Sequence, residues 1–331
     1  MTAPDPARFA FQSLTFTGAK PGPKLIVTGA VHGNETCGTQ GIRRVLADID
    51  AGRLAILAGT VTFVPITNPL AYAKGDRSGD RNLNRNLAPV ASPVDFEDRV
   101  ANWLCPLLAQ HEILLDLHST RAKNPAFAML GPFDNEGRLQ PFRHANKERA
   151  LALALGVSRF VDGWLETYAK GVERRNARVG TASTRAQALN TDPKYGVGTT
   201  EYMRSVGGCS ITLECGQHED PASPDVAYAA IHRALAHLGL SDGPAPAPAT
   251  GAEYLSLVDV IDRLDANDAF AREWSSFNRL AKGDLIATRA DGTKLLAPED
   301  GFIVFPDHKA LPGNEWFYLA RPRLEAELLP R

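Results

Sequence analysis

Two histidines and two acidic residues follow or end apolar runs, where they could serve a metal-assisted hydrolysis. His32 and Glu35 come directly after the run LIVTGAV, and Asp116 and His118 end the run EILLDLH. Two imidazoles and one carboxylate are the usual protein ligands of a catalytic zinc, with a fourth position left for water. Asp116 shares a strand face with His118 and would orient its ring. Taken singly, His32 and Glu35 are more typical of a surface turn and a helix start. Asp116 and His118 alone are equally typical of a buried Asp–His contact without a metal.

A third acidic position, Glu214, lies inside the apolar run SITLEC. A carboxylate buried in such a strand is costly unless it has a partner or a chemical role. Partial burial would also raise its pKa toward the range of a general base. The competing interpretation is a charge that simply leaves the sheet at the end of its strand.

A polar segment, RSGDRNLNRN at 77–86, holds three arginines and three asparagines within ten residues. These side chains donate hydrogen bonds to carboxylate and carbonyl oxygens, and arginine can do so with two parallel bonds. Alone, such a segment is more typical of a solvated loop. Its value as a substrate-binding loop depends on the strand-end residues lying beside it.

The elements that position these residues alternate between strands and helices. Apolar runs without alternation indicate strands buried on both faces. The pattern predicts an α/β fold with a mixed, mostly parallel sheet flanked by helices, in which functional groups gather at the carboxyl ends of strands. Residues 170–200 are predicted to be rich in loops. The predicted strands are 24–31, 59–67, 113–119 and 210–215, and the predicted helices are 38–49, 93–110, 146–156 and 222–239.

The composition changes at the Pro/Ala-rich segment 241–250, which is typical of a stiff spacer or a surface connection. Short strand-like runs separated by Gly-Asp and Asp-Gly turns follow it. The sequence therefore predicts a catalytic domain over residues 1–242 and a small, mostly β domain over 243–331. That second domain could act as a lid or as an oligomer contact.

Four segments in this order resemble the succinylglutamate desuccinylase/aspartoacylase family of zinc-carboxypeptidase-like hydrolases. They are GAVHGNET at 29–36, NLNR at 82–85 with an arginine upstream, LLDLHST at 114–120 and TLECG at 212–216. The resemblance covers about residues 24–240 and continues into the C-terminal β region. It implies a deacylase that cleaves the amide bond of an N-acyl amino acid with the help of one zinc ion and an activated water.

The resemblance also implies a role for each matched side chain. One zinc ion would be held by His32, Glu35 and His118, with Glu214 as the general base. The scissile carbonyl would be polarised by Arg77, and a substrate carboxylate would be held by Asn84 and Arg85.

The match is looser in two segments where the family recognises the rest of its substrate. The segment GTTEYMRSVGGCS offers Tyr202 and Arg204 as substrate-binding residues. The C-terminal segment offers His308 and Lys309 where an aromatic hydroxyl would be expected from aspartoacylases. These differences concern which substrate is bound more than how it is hydrolysed.

Composition excludes several other classes of function. Thirty-six basic and 38 acidic residues among 331 give a formal charge of −2, which argues against a nucleic-acid-binding protein. No apolar run is long enough to cross a bilayer, and residues 1–10 lack the pattern of a signal peptide. The four cysteines form no CxxC pair. A cytoplasmic enzyme acting on a small carboxylate-bearing molecule is expected, with a homo-oligomer left open. The alternatives are a zinc carboxypeptidase-type peptidase and a non-catalytic metal- or ligand-binding protein.

Overall fold

The strands that carry the predicted zinc ligands and the predicted base lie side by side in the middle of one large sheet. The computed structural model describes residues 6–137, 140–178 and 192–323. Within these ranges, helices flank a mixed sheet of 11 strands, which confirms the predicted fold class. The strands are β1 (Leu14–Thr17), β2 (Lys20–Gly29), β3 (Ala58–Val64), β4 (Ile113–Thr120), β5 (Phe127–Met129), β6 (Arg159–Asp162), β7 (Cys209–Gln217), β8 (Glu253–Asp262), β9 (Ala269–Phe270), β10 (Arg279–Leu280), β11 (Leu285–Thr288), β12 (Lys294–Leu296), β13 (Gly301–Val304) and β14 (Glu315–Pro322).

The helices pack mainly against the first half of this sheet. Short 3-10 turns occur at Pro6–Arg8 and Pro193–Gly196. No helix within the described ranges has the length and apolar character needed to cross a bilayer. The α-helices are α1 (Cys37–Asp50), α2 (Pro69–Lys74), α3 (Phe96–Leu108), α4 (Ala145–Ala154), α5 (Trp164–Arg178), α6 (Thr199–Ser205) and α7 (Ser223–His237).

The order of strands in the large sheet is β1-β3-β2-β4-β7-β5-β6-β8-β14-β13-β10. The neighbours β3, β2, β4 and β7 run parallel, so their carboxyl ends meet at one edge. The pairs β7–β5 and β8–β14 are antiparallel. Because the site residues follow or end the parallel strands, the topology brings them to the same side of the sheet.

The parallel strands are buried on both faces, as their continuous apolar sequence predicts. Along β2, Leu25 and Val27 join the core under α1 and α7, whereas Ile26 joins the core under α3. Leu114 and Leu115 of β4 divide between the same two cores. The alternation follows from the two-residue period of a strand and fixes which side chains remain at its end for chemistry.

The prediction that residues 170–200 are rich in loops is wrong over its first part, because α5 continues to Arg178. The sequence of α5 contains few apolar residues and includes a glycine, Gly171, which disfavours a helix prediction. The glycine is required by packing, since a Cβ there would lie 2.7 Å from a side-chain methyl of Val260 on β8. Residues 179–191 lie outside the described ranges, and α6 begins at Thr199.

The C-terminal region continues the large sheet. Strand β6 of the N-terminal region pairs in parallel with β8, from Arg159 beside Glu253 to Asp162 beside Ser256. The Pro/Ala segment 241–250 that precedes β8 is largely exposed. The domain boundary at 242/243 stays a prediction. Strands from both sides of this boundary are hydrogen-bonded to each other in one sheet.

A buried ion pair connects α4, α6 and β7. Glu148 accepts two hydrogen bonds from Arg204 at 3.0 Å, and it also accepts the backbone N–H groups of Gly131 and Ser210. The side chains of Glu148 and Arg204 are 2% and 3% exposed. Removing one partner of such a pair leaves an uncompensated charge in a low-dielectric interior.

We expect Glu148→Ala to lower the free energy of unfolding by about 3–5 kcal/mol, because Arg204 would stay buried without its carboxylate. Urea denaturation measures the change. The matched control is Glu136→Ala, whose pair with Arg143 is on the surface, with side chains 78% and 73% exposed. A loss at Glu148 no larger than that of the control would contradict the assignment.

Candidate active site

The first two predicted ligands lie in the turn between β2 and α1. His32 Nδ1 is 2.8 Å from Glu35 Oε1, and both residues are 2% exposed. The turn is tight at Gly33, where a Cβ would lie 2.0 Å from the carbonyl carbon of Ala71. Glycine at this position therefore lets the turn approach α2 closely enough to aim the imidazole and the carboxylate at one point.

The third predicted ligand reaches the same point from β4. His118 Nδ1 is 2.8 Å from Glu35 Oε2, and its ring centroid is 5.0 Å from that of His32. One ligand atom from each of His32, Glu35 and His118 lies within 4.8 Å of the other two. All three side chains are buried. Their spacing matches what a single divalent cation requires.

The far side of each imidazole is held by an oxygen acceptor. His118 Nε2 donates to Asp116 Oδ2 at 2.8 Å, and Asp116 also accepts the hydroxyls of Thr28 and Thr199. His32 Nε2 is 3.0 Å from the side-chain oxygen of Asn82. Such contacts fix the ring orientation and leave Nδ1 pointing inward, as metal-ligating histidines require.

Electrostatics at this point favours a bound cation. Burial lowers the pKa of His32 to about 4, with a further contribution from Arg77, so the ring is neutral near pH 7. Nδ1 faces a carboxylate oxygen of Glu35 and Nε2 faces the side-chain oxygen of Asn82, yet a neutral ring carries only one proton for these two acceptors. A cation beside Nδ1 would satisfy both contacts, because Nε2 would then hold the proton. The residues present therefore fit a metal ion.

Glu214 lies next to the ligand trio on the neighbouring strand. In the β4–β7 register, Glu214 is the partner of His118. Its side chain is buried, and within the described ranges its Oε2 atom has no hydrogen-bond partner. Burial raises the pKa of Glu214 to about 8. The group is thus able to exchange a proton near neutral pH.

A buried carboxylate outside the cavity shapes the Arg/Asn loop. Glu97 of α3 is 0% exposed and accepts backbone N–H groups of Gly79, Asp80 and Arg81 together with the side-chain amide of Asn68. These bonds fold the loop back toward the ligand trio. The role of Glu97 was not predicted, since nothing in its local sequence marks it.

The folded loop brings Arg77, Asn84 and Arg85 to the cavity. Arg77 Nη1 donates to Glu35 Oε1 at 3.0 Å. Asn84 Oδ1 accepts the backbone N–H of Thr199 at 2.8 Å, which leaves its amide N–H groups for a ligand. Three predicted polar residues thus lie on one wall, next to the trio.

Arg85 is held in place by aromatic rings and by its own backbone. Its guanidinium carbon lies 4.8 Å from the ring centroid of Trp164 and 5.3 Å from that of Tyr168. Its Nη1 atom donates to the carbonyl oxygen of Asn84 at 2.8 Å. Only 7% of the residue is exposed, so the planar group is fixed before a ligand arrives.

These side chains enclose a cavity of about 200 Å³, and the C-terminal region supplies part of its wall. Trp164, Glu315 and Tyr318 line it but were not predicted as site residues. The hydroxyl of Tyr318 is buried and has no hydrogen-bond partner within the described ranges. It lies in NEWFYLA, and it is an aromatic hydroxyl of the kind expected near positions 308 and 309.

The four remaining predicted residues are placed differently. Arg204 lines the cavity, but its guanidinium is bound to Glu148. Tyr202 packs with the α3 core, and burial raises its pKa to about 12. His308 and Lys309 are exposed and line a separate, more open groove. Tyr202, His308 and Lys309 are not among the described residues that line the cavity, and their contact with substrate stays a prediction.

The N-terminal part of the chain matches a known family model. Residues 21–153 match the family model described as the succinylglutamate desuccinylase/aspartoacylase catalytic domain. A search of curated proteins finds no match.

Solved structures share the fold over nearly the whole chain. A succinylglutamate desuccinylase/aspartoacylase from Rhodobacter sphaeroides has a TM-score of 0.69 at 17% identity, covering 95% of this chain and 90% of that one. The succinylglutamate desuccinylase from Vibrio cholerae has a TM-score of 0.68 at 18% identity, covering 95% and 87%. The ectoine utilization protein EutE from Ruegeria pomeroyi has a TM-score of 0.67 at 18% identity, covering 94% and 88%. The family-model match over residues 21–153 agrees with the resemblance found in the sequence, and the solved structures show that the chain shares their fold.

Proposed function

We propose that the protein is a zinc-dependent amidohydrolase that removes the acyl group from an N-acyl amino acid. The observation that carries the proposal is the convergence of His32, Glu35 and His118 beside the unpaired carboxyl of Glu214 in one cavity. The family match over residues 21–153 supports hydrolysis of an amide. The positions of the trio, Glu214 and Arg77 around one cavity support the same reaction.

His32, Glu35 and His118 would hold one zinc ion, since two imidazoles and a carboxylate are a typical catalytic donor set. When bound, the ion acts as a Lewis acid that makes water a better nucleophile at neutral pH. Asp116 and Asn82 would keep both rings in the ligating orientation through their contacts with Nε2.

Glu214 would act as the general base and then as the general acid. Its carboxylate takes a proton from the attacking water and passes it to the nitrogen of the leaving amine. Burial places its pKa near the working pH, which suits a group that must both accept and donate. Arg77 would stabilise the negative charge that develops on the carbonyl oxygen, because it already faces the ligand trio.

Arg85 and Asn84 would hold the carboxylate of the substrate. Arg85 is preorganised between aromatic rings, and arginine pairs with a carboxylate through two parallel hydrogen bonds. A cavity of about 200 Å³, walled in part by residues 305–318, favours a small amide over an extended peptide. The region 243–331 would therefore act as part of the substrate pocket.

His118→Ala and Glu214→Gln should separate metal binding from catalysis. His118→Ala is expected to lose bound zinc and hydrolysis together. Glu214→Gln should keep zinc but lose about 10²–10⁴-fold in kcat, because proton transfer is removed. Metal analysis of purified protein and turnover of N-acyl amino acids measure both. Glu219→Gln, at a nearby exposed carboxylate, is the control, and normal turnover by Glu214→Gln would remove Glu214 from the mechanism.

The raised pKa of Glu214 also predicts how stability depends on pH in the metal-free protein. The folded state holds this proton up to about pH 8, whereas an exposed glutamate releases it near pH 4.5, so the wild type loses stability as pH rises between these values. Glu214→Gln has no such proton to lose. At pH 8.5 the variant should therefore be more stable than the wild type by a few kcal/mol, the order of magnitude that the pKa shift of Glu214 implies. At pH 4 the two proteins should have nearly the same stability.

Thermal denaturation of chelator-treated protein across this pH range tests the prediction. A constant difference between Glu214→Gln and wild type would show that Glu214 is not the buried titrating group.

Arg85→Lys should raise KM for a carboxylate-bearing substrate by about tenfold and change kcat less, because lysine cannot form the paired hydrogen bonds. Steady-state kinetics with zinc-loaded protein measures the effect. Arg53→Lys, in a surface pair with Asp48, is the matched control. An unchanged KM in Arg85→Lys would place the carboxylate site elsewhere.

A further inference from the structure

The charges around the cavity limit which substrates it accepts. An anionic substrate needs positive groups that are not already paired with a carboxylate. The described residues that line the cavity include four arginines, Arg77, Arg85, Arg121 and Arg204, and five acidic residues, Glu35, Glu201, Glu214, Asp307 and Glu315. With one divalent cation added, the formal charges leave a single positive charge.

Two of the four guanidiniums are already bound to carboxylates. Arg204 makes two hydrogen bonds of 3.0 Å to Glu148, and its Nη1 is 3.6 Å from Glu201. Arg121 Nη1 lies 2.9 and 3.0 Å from the two carboxylate oxygens of Asp307. Drawing Arg204 toward a substrate would leave Glu148 buried without its cation. The Arg121–Asp307 pair is about one-third exposed and costs less to separate, but a substrate carboxylate would have to compete with Asp307 for the same guanidinium.

Arg85 is paired more loosely. Its Nη2 atom is 3.9 Å from Glu315 Oε2, whereas Arg175 Nη2 is 3.2 Å from Glu315 Oε1. Glu315 therefore keeps a cationic partner when Arg85 binds a substrate carboxylate. Arg77 faces Glu35 of the ligand trio at 3.0 Å, where its charge is directed to the reacting carbonyl.

We propose that the cavity accepts N-acyl amino acids with one carboxylate, whose acyl group and side chain are neutral or cationic, and that it discriminates against dicarboxylates and tricarboxylates. The inference rests on the proposed function and names its substrate class. A second carboxylate would find no unpaired cation among the described residues that line the cavity, and it would have to compete with the acidic partner of Arg121 or Arg204.

The direct test compares four probes with zinc-loaded protein: N-acetylalanine, N-acetylornithine, N-acetylaspartate and N-succinylglutamate. We expect kcat/KM for the first two to exceed that for the last two by about tenfold or more, the effect of one unpaired charge. A preference for N-acetylaspartate or N-succinylglutamate would overturn the inference and leave the proposed hydrolysis intact.

Binding provides a readout that does not need turnover. Calorimetry with zinc-loaded Glu214→Gln measures the affinity for the same four probes. Tighter binding of the monocarboxylates supports the inference, and equal or tighter binding of the others overturns it. If the wild type hydrolyses none of the probes while Glu214→Gln still prefers monocarboxylates, the proposed reaction fails and the charge preference stands.

A variant that frees a cation should reverse part of the discrimination. Asp307→Asn leaves Arg121 without its carboxylate at the cavity wall, so KM for N-acetylaspartate should fall about threefold to tenfold relative to KM for N-acetylalanine. Asp225→Asn is the matched control, because it frees Arg44 in an exposed pair between α1 and α7. An unchanged KM for N-acetylaspartate in Asp307→Asn would contradict the assigned role of the Arg121–Asp307 pair.

Discussion

The site depends on one buried carboxylate held between two imidazoles. Glu35 is 2.8 Å from Nδ1 of both His32 and His118 and is almost fully buried. A carboxylate buried in this way needs compensating positive charge, which Arg77 supplies in part at 3.0 Å and which a metal ion held by the trio would increase. The tight turn at Gly33 and the end of β4 both serve to keep this cluster assembled.

Residues outside this cluster hold its members in position through hydrogen bonds. Asp116 receives two threonine hydroxyls as well as the His118 ring, so β2, β4 and α6 together fix the orientation of one imidazole. Glu97 folds the Arg/Asn loop toward the cavity through backbone N–H groups. Both carboxylates are fully or almost fully buried, and each is satisfied by several donors. The geometry is therefore set by rigid, hydrogen-bonded groups before any ligand binds.

The sequence predicted those parts of the site that lie at strand ends. The end of an apolar run in the sequence marks the end of a strand, and parallel neighbouring strands bring their carboxyl ends together. This reasoning identified His32, Glu35, His118 and Glu214 as candidate site residues. Asp116 followed from the two-residue period of the strand. Both predictions used only the local pattern of apolar and polar residues, which is sufficient for residues at the ends of parallel strands.

What the sequence could not predict depends on contacts between distant segments. Glu315 and Tyr318 reach the cavity only because β14 pairs with β8, and β8 with β6. The guanidinium of Arg204 is bound to Glu148, which lies 56 residues away along the chain, so no local pattern in the sequence indicated this pairing. Helix α5 was missed because its sequence is rich in charged residues, and its few buried residues lie on a narrow face that packs against the distant strand β8.

The shared sheet has a consequence for how this protein can be divided. Strand β6 gives one edge to β5 and the other to β8, so a chain cut before β8 would expose a row of unpaired backbone groups. Exposed edges of this kind recruit other strands and promote aggregation. The same cut would remove Glu315 and Tyr318 from the pocket wall. The segments on either side of the Pro/Ala linker thus share one sheet and one pocket wall, so a cut at the linker would alter both.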